Sequence, residues 1–315
     1  MDENSLRNGI ADFSADIFES ATSPLIKLPT SIKMLISAIG NGSGDDPFLG
    51  ISFGDLGASL TTIVENIGNS LQPVGYALCF LFFLIALLEL AMSERMTLEY
   101  FVKFFSKFVI GFAVVYFWKD IYNICRQMGP ALANTITSTP PLATSPNFHA
   151  AFREYVGNNG GAAWLVLLLA SFLVGAVLLL ATCAIVAVTY VIVFTWVLEM
   201  GIRGAFLPIA CALLSDDGWR GAGGRYIRRF LAVCCQGAVM TCIASVYAGV
   251  VAPIVNSIST SATTTTSVGI FTTNSDSLKF VWSLASSIIV MVALSVAVVS
   301  VMFKSSSIVN DVFGG

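Results

Sequence analysis

Along this chain apolar residues first recur at helical spacing, then crowd into unbroken runs. Ile10, Phe13, Ile17 and Phe18 repeat every three or four positions, and so do Ile32, Leu35, Ile36 and Ile39. That is the spacing of one face of an α-helix. Pro24 and Pro29 lie between the two patterns, which predicts two amphipathic helices separated by the prolines. "GNGSGDDP" (Gly40–Pro47) predicts a turn-rich linker, and "FGDLGASLTTIVENIGNSL" a further short helix. From Leu71 the pattern changes. Leu71–Met92 is apolar, a second run centres on Phe104–Trp118, and Ala162–Met200 is unbroken for 39 residues. Phe230–Val255 follows, with Pro253 expected to end it, and Leu278–Phe303 is closed by Lys304. Ala205–Leu214 is only ten residues long and contains Pro208. It is too short to cross a bilayer and reads as re-entrant or interfacial.

Composition agrees. The chain is 56% hydrophobic and 11% charged, against about 25% charged in soluble domains, and its mean hydropathy is +0.82. The fold class expected is all-α: a polytopic transmembrane protein of about five spans, one very long, with amphipathic N-terminal helices. Residues 1–70 are expected as an extracytoplasmic amphipathic region, 71–304 as the transmembrane domain and 305–315 as a short cytoplasmic tail. The opening "MDENSLRNG" is acidic and polar, unlike the basic start of a cleavable signal peptide. Seven cysteines show no metal-binding spacing, and the adjacent pair Cys234–Cys235 is a poor disulfide. They read as small buried hydrophobes.

Charge placement predicts orientation. Cytoplasmic loops are enriched in Lys and Arg near span ends. The 201–229 loop holds Arg203, Arg220, Arg225, Arg228 and Arg229, whereas the Ser/Thr-rich 256–277 loop holds none. The first is expected inside and the second outside, with Lys304 placing the C-terminus inside. Arg95, Lys103 and Lys107 favour an inside position for the first hairpin turn. Loop 119–161, with three basic residues, and the head, with nine Asp or Glu against three basic residues, then lie outside. Residues 162–200 must cross an odd number of times. One crossing implies a helix of about 58 Å at 1.5 Å per residue, far beyond the ~30 Å hydrocarbon core. Its apolar excess needs cover, which a homo-oligomer would supply. The rival is a hairpin around Ala181–Cys183, which would make six crossings.

The cations gather in "WRGAGGRYIRRF", Trp219 to Phe230. "GAGG" lacks the G-x-x-x-x-G-K-[ST] spacing of a phosphate loop. Arg220, Arg225, Arg228 and Arg229 read as headgroup anchors at a span end, with Trp219 and Tyr226 suited to the interface. A docking surface for a cytoplasmic partner is the functional reading of the same residues. Glu89 lies inside the first span, where a carboxylate is a functional suspect, but it is close to Glu94 and Arg95 at the interface. Glu199 and Arg203 are spaced for an i,i+4 salt bridge at the end of the long helix. Ser283, Ser286, Ser287, Ser295 and Ser300 read as packing positions. His149, the single histidine, has no nucleophile or ligand pattern around it in the sequence. No catalytic, cofactor or metal residue is expected, and the chain reads as a non-enzyme.

Three stretches resemble a known family. Gly75–Ile121 looks like the first membrane hairpin of TrbL-like subunits of type IV secretion and conjugation systems. "LEMGIRGAFLPIACALL" (Leu198–Leu214) is similar to that family's helix end followed by an apolar proline turn. In "GWRGAGGRYIRRFLAVCCQGAVMTCIASVYAGV" (Gly218–Val250), Gly223, Gly224, Tyr226, Arg228, Gln236 and Gly237 fill the family's Gly-rich, aromatic-basic and Gln-Gly positions. The resemblance runs from about Gly75 to the C-terminus. It implies an inner-membrane subunit with N-terminus outside and C-terminus inside, assembled with copies of itself and other secretion subunits. It also implies a partner ATPase or coupling protein, and DNA or protein as cargo. No cofactor is implied. The rival reading is a small-solute or ion transporter working without secretion partners, although intramembrane charges are few and no internal repeat is evident.

Overall fold

The computed structural model describes residues 3–41, 47–48, 51–92, 98–136, 148–149, 152–153, 163–264 and 274–313. Among them are eight α-helices: α1 (Glu3–Asn41), α2 (Phe53–Met92), α3 (Leu98–Tyr116), α4 (Trp118–Ile136), α5 (Ala163–Ala205), α6 (Leu207–Asp217), α7 (Ala222–Thr264) and α8 (Asn274–Phe313). A 3₁₀ turn, Gly218–Arg220, joins α6 to α7. Two-residue strands β1 (Pro47–Phe48) and β2 (Ile51–Ser52) pair antiparallel at the end of the expected linker. The architecture is the expected all-α one apart from that pairing.

Four helical segments among the described residues are long and apolar enough to cross a membrane: Gly57–Glu89, Leu169–Ala205, Ala222–Val255 and Ala285–Val312. Phe105–Tyr116 and Trp118–Leu132 make a fifth if the two, bent by 60°, count as one span. The described part of the 162–200 run, from Ala163 on, is one helix and not a hairpin. At 43 residues, α5 is about 65 Å long.

Several expected boundaries give way. Pro24 and Pro29 lie inside a continuous α1. Ala11, Ser14, Ala15, Phe18, Ala21, Thr22, Leu25, Leu28 and Ile32 are all buried, so one stripe runs through both prolines. Each proline costs a backbone hydrogen bond, but breaking the helix would put half the stripe out of register. Pro73 and Pro253 are likewise internal to α2 and α7. Thus Pro253 does not end its helix, and the start of the Ser/Thr-rich loop is helical to Thr264. α2 passes through the 70/71 division. Residues 119–136, expected as part of loop 119–161, belong to amphipathic α4. Lys304 is inside α8, so most of the supposed tail is helix. Glu94, Arg95, the "TSTPPLATSP" stretch and residues 265–273 lie outside the described residues.

The chain divides into two compact units. The first comprises Met1–Ile32, Thr137–Ile192 and Cys242–Phe303. There α1 buries its stripe within its own chain. Ser14 Oγ and Ser171 Oγ lie 2.9 Å apart, joining α1 to α5. Tyr247 and Ser295 join α7 to α8 through their hydroxyls at 2.7 Å. Ser295 is buried as the packing reading requires, while Ser300 is exposed and bonds its own helix. The second unit comprises Lys33–Ile136, Val193–Thr241 and Lys304–Gly315, and in it α6 packs against α2 and α3.

Candidate functional site

The basic sequence cluster falls in the second unit, around α6. Leu207, Ala210, Cys211 and Ala212 of this 11-residue helix are buried. Glycines on three helices let their backbones reach it. A Cβ at Gly75 of α2 would sit 3.0 Å from Pro208 O, one at Gly111 of α3 2.5 Å from Ser215 Cβ, and one at Gly223 of α7 2.6 Å from Ala210 O. Protein therefore covers a segment too short to span, the condition under which such segments sit at membrane depth. A Cβ at Gly224 would strike the Trp219 carbonyl. The "GAGG" glycines serve close approach, not an anion cradle.

The arginines sort into two groups. Arg203 makes the expected ion pair, Nη2 to Glu199 Oε1 at 2.5 Å, and its Nη1 donates to Arg229 O at 3.4 Å. Arg228 Nη2 donates to Trp219 O at 2.5 Å and ties the 3₁₀ turn to α7. Arg220, Arg225 and Arg229 are exposed, and their guanidiniums take no partner among the described residues. Trp219 is 60% exposed. Tyr226 is half-buried and donates its hydroxyl to Arg203 O at 2.8 Å. That carbonyl belongs to the last turn of α5, where helix acceptors lack an intrahelical donor. Tyr226 and Arg228 therefore hold helix ends together, and of the six residues expected at the interface, Trp219, Arg220, Arg225 and Arg229 face outward. Glu89 is exposed on α2 and makes no ion pair with a described residue.

The motif residues farther along α7 also join helices. Gln236 Nε2 donates to Ser305 Oγ of α8 at 3.1 Å. A Cβ at Gly237 would come within 2.6 Å of Trp196 Cζ2, and Trp196 Nε1 donates to Val233 O at 2.7 Å. Sequence reasoning did not reach Trp196. It also did not reach Arg126 of α4, whose Nη1 donates to Thr61 Oγ1 of α2 at 2.9 Å. The signal was amphipathicity in 118–136, obscured by Lys119, Asp120 and Pro130, which suggest a loop.

The first unit holds a second polar assembly, centred on His149. Arg153 grips Asp12 of α1 through Nε and Nη2, at 2.7 and 2.8 Å. His149 Nδ1 lies 3.4 Å from Asp12, and its Nε2 lies 3.3 Å from Asp16 and 3.4 Å from Glu19. Phe148 and Phe152 are buried against Phe18, with ring centroids 6.2 and 5.6 Å away. The four residues form two i,i+4 pairs, one apolar and one basic, and all four dock on α1. The hydrogen bond from Arg153 holds the Asp12 carboxyl below its ordinary value, and Asp12 in turn raises Arg153. Among the described residues no three His, Cys, Asp or Glu side chains are arranged to hold a metal ion.

These features define the class: a multi-pass α-helical membrane protein whose basic helix end is stitched to its neighbours by backbone-directed side chains. No family model, curated protein or solved structure matches the chain.

Proposed function

We propose that this chain is an inner-membrane scaffold or channel subunit of a type IV secretion, or conjugative transfer, apparatus. Its N-terminus lies outside and its C-terminus in the cytoplasm. Copies of the chain assemble into a ring with other secretion subunits, and the translocation path for DNA or protein runs through that assembly. The basic end of α7 meets anionic lipid and a cytoplasmic ATPase or coupling protein. The chain itself carries out no catalysis.

One observation supports the reading above the rest. Gly223, Gly224, Tyr226, Arg228, Gln236 and Gly237, the positions that carry the TrbL-like resemblance, each bring α7 against a neighbouring element. The test is purification of the intact complex from native membranes into nanodiscs, with mass determination and identification of co-purified proteins. An oligomer carrying secretion subunits is expected, together with loss of transfer on deletion. A lone monomer that moves solute in liposomes without partners overturns the reading in favour of a transporter.

A further inference from the structure

We propose that the start of α7 is a binding site for the phosphate headgroup of an anionic phospholipid. Arg220, Arg225 and Arg229 bind the headgroup, and Trp219 edges the site. The proposal rests on the membrane-anchor reading of this end, not on the secretion assignment.

The sorting of the arginines carries the inference. Residues 199–229 contain five arginines against Glu199, Asp216 and Asp217, so the local balance is positive. Arg203 is paired with Glu199, and Arg228 keeps its charge but directs one N–H to a backbone carbonyl. Three exposed guanidiniums are left without a protein partner among the described residues. Arg225 and Arg229 stand one turn apart on α7, and so share a face. Arg228 holds the Trp219–Arg220 turn against the same helix start. The guanidinium fork matches phosphate oxygens, and the positive end of a 43-residue helix adds to the attraction.

Depth selects a lipid over a soluble anion. The apolar run of α7 begins at Phe230, directly after Arg229, so the arginines sit where a hydrocarbon core gives way to headgroups. An indole 60% exposed at that level has the amphipathic character of an interfacial residue. Arg228 acts as a positioning residue, because it touches the turn and not the ligand.

The test uses the full chain in neutral detergent. It is titrated with short-chain phosphatidylglycerol, with phosphatidylcholine of the same acyl length, and with inorganic phosphate alone. Native mass spectrometry reads occupancy, and the fluorescence difference between wild type and W219F reads the site. Saturable binding of phosphatidylglycerol, displaced by neither phosphatidylcholine nor inorganic phosphate, is expected. R220Q/R225Q/R229Q should weaken it about 100-fold, from roughly one charge contribution per arginine. R220K/R225K/R229K should retain it within several-fold, and R228Q should weaken it with the three binding arginines in place. Equal binding of phosphatidylcholine overturns the proposal, and so does undiminished binding by the glutamine variant. Displacement by phosphate at equal concentration reassigns the site to a soluble anion. If the glutamine variant fails to fold, the lysine variant and the lipid comparison still decide. Lipid selectivity can fail while secretion partners co-purify, and partners can be absent while selectivity persists, so the two readings fail separately.

Discussion

Replacing Gly237 with alanine should change sign with the residue at position 196. The new Cβ would lie 2.6 Å from Trp196 Cζ2 and 2.9 Å from Cη2, well inside the ~3.5–4.0 Å of ordinary carbon contact. The indole cannot swing away freely. It is 2% exposed, and its N–H is tied to Val233 O at 2.7 Å. Over-packing of this kind costs about 1–3 kcal/mol, while glycine to alanine in a helix returns up to about 1 kcal/mol. G237A alone should therefore be destabilising, by up to about 2 kcal/mol. In a W196F background the phenyl ring does not reach the positions of Cζ2 and Cη2. The clash is then gone, the propensity gain remains, and the same substitution should stabilise. W196F itself should cost about 1 kcal/mol for the lost hydrogen bond, plus a cavity term. Thermal unfolding in detergent, followed by a thiol-reactive fluorophore in a C183A/C235A/C242A background, reads these changes, because the remaining Cys79, Cys125, Cys211 and Cys234 are buried until the helices part. The predicted coupling is about 1–3 kcal/mol. An equal effect of G237A in both backgrounds would refute the close packing of α5 and α7 at this step.

Three further predictions use the same protein. Y226F removes the bond to Arg203 O and should lower stability by about 1 kcal/mol, whereas Y116F, at an exposed position, should change nothing. P24A restores a backbone donor inside α1 and should raise the unfolding temperature, since an interior proline costs up to about 3 kcal/mol; an unchanged or lower temperature would mean that the helix breaks there. Docking of Phe148, His149, Phe152 and Arg153 on α1 should depend on Asp12. A carboxyl whose folded value is lowered contributes stability that is complete above its ordinary value of 3.8 and is lost as pH falls through the folded value. The protection factor of the Phe152 amide, with the intrinsic pH dependence of exchange divided out, should therefore be high at neutral pH and fall below that range, and in D12N it should be low at both.

Hydrophobic run length made the membrane class legible, because bilayer thickness fixes how many apolar residues a span needs. The Glu199–Arg203 pair was legible for a similarly local reason, since i,i+4 spacing alone brings the side chains together. What escaped was decided by tertiary packing. Prolines 24, 29 and 253 are strong local breakers, and each was read as a boundary. A continuous buried stripe in α1 outweighs two missing hydrogen bonds, a balance that appears only when α5 and the Phe148–Phe152 pair supply the burial. His149 looked isolated because its carboxylate neighbours Asp12, Asp16 and Glu19 lie more than 100 positions away in the chain. Yet those three share one helical face, and Phe148, His149, Phe152 and Arg153 repeat at helical spacing. The signal was present in two places with nothing to connect them.

The arginine cluster shows why counting charge is a weaker guide than locating its partners. By number, all four cations of "WRGAGGRYIRRF" are equivalent anchors. In the fold one N–H of the still-charged Arg228 holds a carbonyl, Tyr226 caps the end of another helix, and Gly223 and Gly224 let α6 and the 3₁₀ turn press against α7. These commitments leave Arg220, Arg225 and Arg229 exposed at the same end of α7. A charge already hydrogen-bonded to protein gains less from an anion than one still facing solvent. The binding capacity of this end is therefore set by three residues, and its shape by the others. Substitutions at the two groups should thus separate: loss of Arg225 or Arg229 should weaken anion binding at constant stability, and loss of Tyr226 or Gly223 should weaken stability first.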